Sequence, residues 1–227
     1  MPSSQHYHIS KIMDLVIGLK PNSVLDIGAG FGKYGILCRE YLELWDGRQV
    51  YDKFTRRIDA IEAFEEYITP VHKFVYNHVY VNDVLTIIDQ LDFSYDLVLL
   101  IDVLEHFDKD KGALLIKKIL ARNGGVIIST PKRVSNQIDA FGNEYEIHRS
   151  QWTQKELSLF DASLFLKDDV SFICYVGKDV EKLKENLERM GDAIKKKRDK
   201  SLAIRTRKFL RSVPLASRTY HLVKNSS

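Results

Sequence analysis

The chain has 227 residues, 44% of them hydrophobic, and a formal net charge of +3. That length supports one sizeable core with some tens of residues over, and eleven tyrosines and eleven phenylalanines at ordinary charge density exclude the disordered classes. Cys38 and Cys174 lie far apart without ligand spacing, and no 18-residue apolar stretch or basic-then-apolar leader occurs. Neither a disulfide framework, a metal site, export nor a membrane span is therefore expected, and a reducing, cytoplasmic setting fits.

Residues 10–19 read as a helix with Ile12, Met13, Val16 and Ile17 on one face, stopped at Lys20 and Pro21. A strand follows at 23–27, then a turn on Gly28, Gly30 and Gly32. Residues 33–45 form a second helix with Tyr34, Leu37, Tyr41 and Leu44 inward. Further strands are predicted at 57–61, 79–81, 95–101 and 125–129, with helical segments between them. After a polar loop over 131–150, Thr153 and Glu156 form a capping box on a short helix. Strands at 162–166 and 171–176 are joined by Lys167, Asp168 and Asp169, a link short enough to make that pair antiparallel. The expected fold is α/β: a Rossmann-like, doubly wound, seven-stranded mixed sheet ending in an antiparallel hairpin, with its ligand outside the carboxyl ends of the strands.

The net charge conceals an asymmetry. Residues 178–227 hold 15 Lys and Arg against 6 Asp and Glu, a net +9, whereas residues 1–177 hold 19 against 25, a net −6. An acidic body argues against a nucleic-acid-binding catalytic face. The helical tail carries Val180, Leu183, Leu187 and Met190 on one stripe. Further on, Leu202, Phe209, Leu210 and Val213 share a face, opposite Arg205, Arg207, Lys208 and Arg211, until Pro214 ends the helix. Peripheral contact of 201–213 with an anionic membrane at the inner face, a dimer contact and a solvated helix all fit that pattern.

Several segments carry chemistry. In VLDIGAGFG the glycines let the backbone turn sharply and approach a ligand, while Asp26 suits a cationic amino-acid moiety better than a pyrophosphate. The spacing departs from GxGxxG, since Lys33 stands where the third glycine would be, which disfavours a nicotinamide oxidoreductase. Glu62 after the second strand is placed to accept ribose hydroxyls. Asp83 after the third suits either an adenine amino group or a helix cap, with Val84 against the ring. YDLVLLIDVLEHFDK is a buried strand leading into Asp102, Glu105 and His106.

Together, VLDIGAGFG, Glu62, Asp83, DVLEH and GGVIISTP resemble the Class I S-adenosylmethionine-dependent methyltransferases, particularly bacterial ones with a DVLEH segment, over residues 10–176. The resemblance implies a methyltransferase domain at 1–177 and S-adenosylmethionine as cofactor. It places Asp26, Gly28, Ala29 and Gly30 around the methionine part, Glu62 at the ribose, Asp83 and Val84 at the adenine, and Asp102 near the sulfonium. His106 and His148 are the candidate general bases, each with a structural reading beside the catalytic one. The loop around His148 also offers Asn143, Glu144, Glu146, Arg149 and Trp152 as acceptor contacts. The chain lacks the segment used for base-amino methylation and a cysteine at the ends of its fourth and fifth strands, which disfavours nucleic-acid bases. Oxygen methylation of a sugar, a cell-surface glycan precursor or another small metabolite is the expected reaction. A non-catalytic subunit that binds S-adenosylmethionine or its product is the alternative.

Overall fold

A computed structural model describes residues 4–44, 53–135, 137–138, 140–160 and 163–212, with side chains described as far as Leu202. In chain order the elements are α1 (Ile9–Leu19), β1 (Ser23–Ile27), α2 (Lys33–Arg39), β2 (Arg57–Glu62), α3 (Pro70–Val75), β3 (His78–Val81), α4 (Val84–Ile87), β4 (Leu97–Ile101), α5 (Lys109–Arg122), β5 (Gly125–Pro131), α6 (Gln154–Leu157), β6 (Ser163–Leu166), β7 (Ser171–Gly177) and α7 (Val180–Ser212).

The seven strands form one sheet in the order β3-β2-β1-β4-β5-β7-β6. The first five are parallel to one another, and β7 enters antiparallel between β5 and β6. Every residue of β1 and β4 is buried, as parallel strands covered by helices on both faces require; β4 accordingly reads as an unbroken apolar run, and β1 as one interrupted by Asp26. In register, Ile27 lies beside Ile61 and Leu100, so the carboxyl ends of β1, β2 and β4 finish together and their loops open on one edge of the sheet. One core face centres on Leu25, Ile27, Val98, Leu100, Leu115, Ile116, Val126 and Ile128.

β3 and β7 each run one residue beyond their sequence pattern, β4 begins two residues later, at Leu97, and two further extensions matter for the site. Glu62 is the last residue of β2 rather than the first after it, and β5 continues to Pro131 because β7 pairs with it along its full length. The inward face of the second helix also differs. Tyr34, Cys38 and Leu42 are buried, whereas Leu37, Tyr41 and Leu44 are half-buried. A buried ion pair causes the shift: Arg39 and Glu43 turn inward, 2.7 Å apart, and residues Glu40–Leu44 widen into a π-helical turn around them. The Arg39 guanidinium donates to Val75 O, Arg56 O and Asn77 Oδ1, each at 2.8 Å, and lies 4.4 Å from the Phe54 ring. Trp45 and Ala162 lie outside the described residues. Burial pushes the Cys38 thiol up, and that of Cys174 to about 12, so both behave as small apolar side chains.

The chain divides into two compact units, 1–184 and 185–227. The first holds the sheet and its helices, including the buried Val180 and Leu183 at the start of α7. In the second, α7 continues to Ser212. Leu187 and Met190 are half-buried, and residues 191–202 are all exposed. Side chains from 203, among them Arg205, Arg207, Lys208, Phe209, Leu210 and Arg211, lie outside those described, as do Val213 and Pro214. No helix among the described residues is long and apolar enough to cross a membrane.

Candidate active site

A cavity of about 420 Å³ opens at the carboxyl ends of β1, β2 and β4, a volume ordinary for a small-molecule site. Its floor is the loop after β1. Gly28 takes a left-handed conformation (φ +69°), and a Cβ there would lie 2.5 Å from Val103 Cγ2, so no other residue fits without moving the segment after β4. The loop is strapped to β2: Gly28 N–H donates to Ile61 O (2.8 Å) and Gly30 N–H to Glu62 Oε2 (2.8 Å), while Phe64 N–H donates to Glu62 Oε1 (3.0 Å). The Glu62 carboxylate therefore lines the cavity with one bond on each oxygen and lone pairs to spare. Burial raises its pKa against those backbone donors.

Asp26 is set back from the cavity wall. Its Oδ2 accepts from Tyr76 Oη at 2.6 Å, and a Cβ on Gly35 would fall within 2.5 Å of the Tyr76 ring and hydroxyl, so a glycine there is what admits the tyrosine. Tyr76 thus engages Oδ2, which leaves Oδ1 for the contact with a cationic moiety, direct or through water, expected of Asp26. Burial lifts the Asp26 carboxyl to about 7, and burial followed by the charge of Asp102 lifts Glu105 to about 8. Both keep a proton that the unfolded chain releases near pH about 4, so the unfolded state binds fewer protons and stability falls as pH rises from about 4 to about 8. Urea midpoints are expected to be lower at pH 8 than at pH 5.5, with a smaller difference in Asp26→Asn. An unchanged difference in that variant would place the retained proton elsewhere.

Asp83 lines the cavity and caps α4, its Oδ1 accepting from Leu85 N–H at 2.7 Å, while the buried Val84 forms the adjoining wall. Asp102, just past β4, is left-handed (φ +52°), a conformation costing of order 1 kcal/mol or more in a residue with a Cβ. It is held by its N–H to Ser129 O (2.9 Å) and by the Ser129 hydroxyl donating to Oδ1. Its Oδ2 lies 3.5 Å from Nε2 of the fully buried His8. His6 is exposed and does not line the cavity.

The loop after β5 supplies the far wall through Asn143, Tyr145, Glu146 and Arg149. Two backbone donors, Arg149 N–H (2.8 Å) and Ser150 N–H (3.1 Å), pin it to the Glu105 carbonyl. Of the two candidate bases, His106 lines the cavity and His148 does not. Their rings nonetheless lie 5.0 Å apart. Burial lowers the His106 pKa, so its ring is neutral at physiological pH. Trp152 is a core residue instead of an acceptor contact: it packs against Gly112, and its Nε1 donates to Leu104 O. Glu144 is exposed and also stands off the cavity.

Several lining or supporting residues escape sequence reasoning. Lys33, which breaks the glycine fingerprint, lines the cavity and donates to Ser4 O (2.8 Å) and Ser4 Oγ (3.0 Å). Tyr67 donates to Glu146 across the opening at 3.3 Å. His72 is buried, and its Nε2 meets Gly30 O at 2.8 Å; a carbonyl only accepts, so that nitrogen carries the proton while Nδ1 accepts from Thr69 N–H.

Among known families, the methyltransferase domain matches residues 5–164. A comparison with curated proteins returns no match. Among solved structures, the fold is similar to that of a protein described as an O-methyltransferase from Nostoc punctiforme (19% identity, TM-score 0.51, 74% of this chain and 55% of that one). It is also similar to the N-terminal domain of EvdMO1 crystallised in the presence of S-adenosylhomocysteine and D-fucose (16%, 0.54, 77% and 84%). A third is an S-adenosylmethionine-dependent methyltransferase from Archaeoglobus fulgidus (14%, 0.55, 74% and 92%). The chain thus spans about half the length of the first of these.

Proposed function

The chain belongs to the methyltransferase-domain family, as a class I S-adenosylmethionine-dependent enzyme, and we propose that its acceptor is a hydroxyl of a sugar, a cell-surface glycan precursor or another small metabolite. The residues present fit the cofactor. The Gly28–Gly30 loop leaves room for a methionine part, Glu62 keeps lone pairs for a ribose diol, and Asp83 with Val84 offers an acceptor and an apolar wall to an adenine. When bound, S-adenosylmethionine supplies a methyl group already activated by its sulfonium, so the protein's part is alignment and proton removal.

The observation that supports a hydroxyl acceptor is the composition of the cavity. Five carboxylates (Glu62, Asp83, Asp102, Asp108 and Glu146) face three cations (Lys33, Lys111 and Arg149) around it. That surplus of negative charge repels a phosphate backbone, whereas Asn143, Tyr145, Glu146 and Arg149 offer a neutral polyol both donors and acceptors. The sugar present with EvdMO1 fits that reading. His106 is the basic group that the cavity presents to such a hydroxyl, neutral and held by the Ile147 carbonyl.

The test incubates the full chain with S-adenosylmethionine and separate panels of free sugars, nucleotide sugars, small amines and oligonucleotides. S-adenosylhomocysteine release and a methylated product by mass are expected with free sugars, and less with nucleotide sugars, whose diphosphate meets the same repulsion. Turnover confined to amines or oligonucleotides would overturn the proposal.

A further inference from the structure

Glu105 and His106 close the short turn after β4, and His148 sits in the loop after β5, yet the three meet. One ligand atom from each, a carboxylate oxygen and two imidazole nitrogens, lies within 4.8 Å of the other two. Both imidazoles are oriented in the same way. His106 Nδ1 lies 3.2 Å from Ile147 O, and His148 Nδ1 lies 2.8 Å from Ser135 O. Carbonyl oxygens only accept, so each Nδ1 donates and each Nε2 is the nitrogen left for a further contact. The two imidazoles, 5.0 Å apart and each oriented by a backbone carbonyl, stand beside the buried Glu105 side chain, whose Oε2 accepts from Thr130 Oγ1. A second contact that fixes the ring and its tautomer is the support that metal-binding histidines require.

We propose that Glu105, His106 and His148 hold one divalent transition-metal ion. Two imidazoles and one carboxylate suit zinc, manganese, iron(II) or cobalt, and suit calcium or magnesium poorly, because those cations select oxygen donors. Three protein ligands leave coordination positions open. Of the three, His106 is a wall residue of the cavity, beside Asp102 and Arg149, so the ion would sit at the edge of that space. The inference rests on the methyltransferase reading and deepens it. An acceptor able to present one or two oxygens to a cation, as a sugar diol does, is selected over an amine; the ion would lower the pKa of a bound hydroxyl, whose proton leaves to solvent, and His106 then serves as a ligand in place of the base. Sequence spacing alone hides the site, since 42 residues separate His106 from His148.

The experiment uses the full chain stripped with a chelator and titrated with Co²⁺, followed by calorimetry and by visible ligand-field absorption, and then with Zn²⁺. One equivalent is expected to bind, with absorption typical of nitrogen and oxygen donors. His148→Ala and Glu105→Gln are each expected to weaken binding at least tenfold, and His6→Ala to leave it unchanged. The partly exposed His148 keeps the test decisive if the buried Glu105 variant fails to fold. Absence of saturable binding, or equal binding by His148→Ala, would overturn the site. S-adenosylhomocysteine is titrated into the same samples. Cofactor product bound without metal overturns this inference alone, whereas metal bound without cofactor product overturns the methyltransferase reading of the cavity.

Discussion

Replacing Glu62 with alanine is expected to weaken S-adenosylhomocysteine binding by roughly thirty- to a hundredfold, the largest effect of any single change in the cavity. The carboxylate ends β2 inside the site and already steadies the floor through Gly30 N–H at 2.8 Å and Phe64 N–H at 3.0 Å. Its remaining lone pairs are those a ribose would use, and hydrogen bonds to a charged group contribute about 1.5–3 kcal/mol each. Losing one of them, with the loop loosened as well, gives about 2–2.8 kcal/mol, which converts to the stated factor. Glu62→Gln keeps the shape and one acceptor and should fall between parent and alanine variant. Calorimetric titration of all three measures the series. If Glu62→Ala binds within twofold of the parent, the ribose is held elsewhere.

The second large effect is on stability, far from the chemistry. Arg39→Met is expected to destabilise the protein by about 3–5 kcal/mol, because it keeps an apolar stem but strands Glu43, which is fully buried. Burial alone would raise the Glu43 carboxyl. Backbone N–H groups of Arg56 and Thr55, together with the Arg39 guanidinium, hold it below the ordinary carboxylate range, and removing Arg39 takes away part of what opposes that burial. Val75 O, Arg56 O and Asn77 Oδ1 each lose a donor too. For a chain of this size the loss corresponds to a fall in Tm of about 10 °C. The double variant Arg39→Met/Glu43→Gln should recover part of it, since no ion is then left buried. Thermal unfolding of the two proteins checks the pair, and a loss under about 1 kcal/mol in Arg39→Met would mean that the guanidinium is not structural.

What the sequence discloses and what it hides divide along one physical line. Local and periodic features were readable. The apolar runs of β1 and β4 follow from burial on both faces. The glycine turn follows from a backbone that no Cβ permits at Gly28. The capping box is spelled by Thr153 and Glu156, and the structure shows Thr153 N–H donating to Glu156 Oε2 at 2.8 Å. The glycine loop, Glu62, Asp83 and Val84 stand at strand ends and line the cavity, as does Asp102, whose place came from the resemblance.

Contacts made across the fold left no such mark. Arg39 and Glu43 look like one solvated turn of helix, and only packing against the segments at 55–57 and 75–77 turns them inward. Tyr76 stands 50 residues from Asp26, and nothing in either neighbourhood announces the bond that draws the carboxylate away from the cavity. Trp152 sits among polar residues, which suggested a ligand contact. The space that makes it core is left by Gly112 on another helix.

The strand order also constrains how the chain is made. β1 carries the glycine loop, yet one of its two partners, β4, begins 74 residues after β1 does, at Leu97. At about 5–20 residues per second, synthesis leaves β1 with an open edge for roughly 4–15 seconds. During that interval the floor of the cavity has no Val103 to close it and no Asp102 beside it. The binding site is therefore among the last parts of the first unit to become competent, and a nascent chain stalled before Leu97 would expose to any other chain nearby one edge of a strand that is buried throughout in the finished fold.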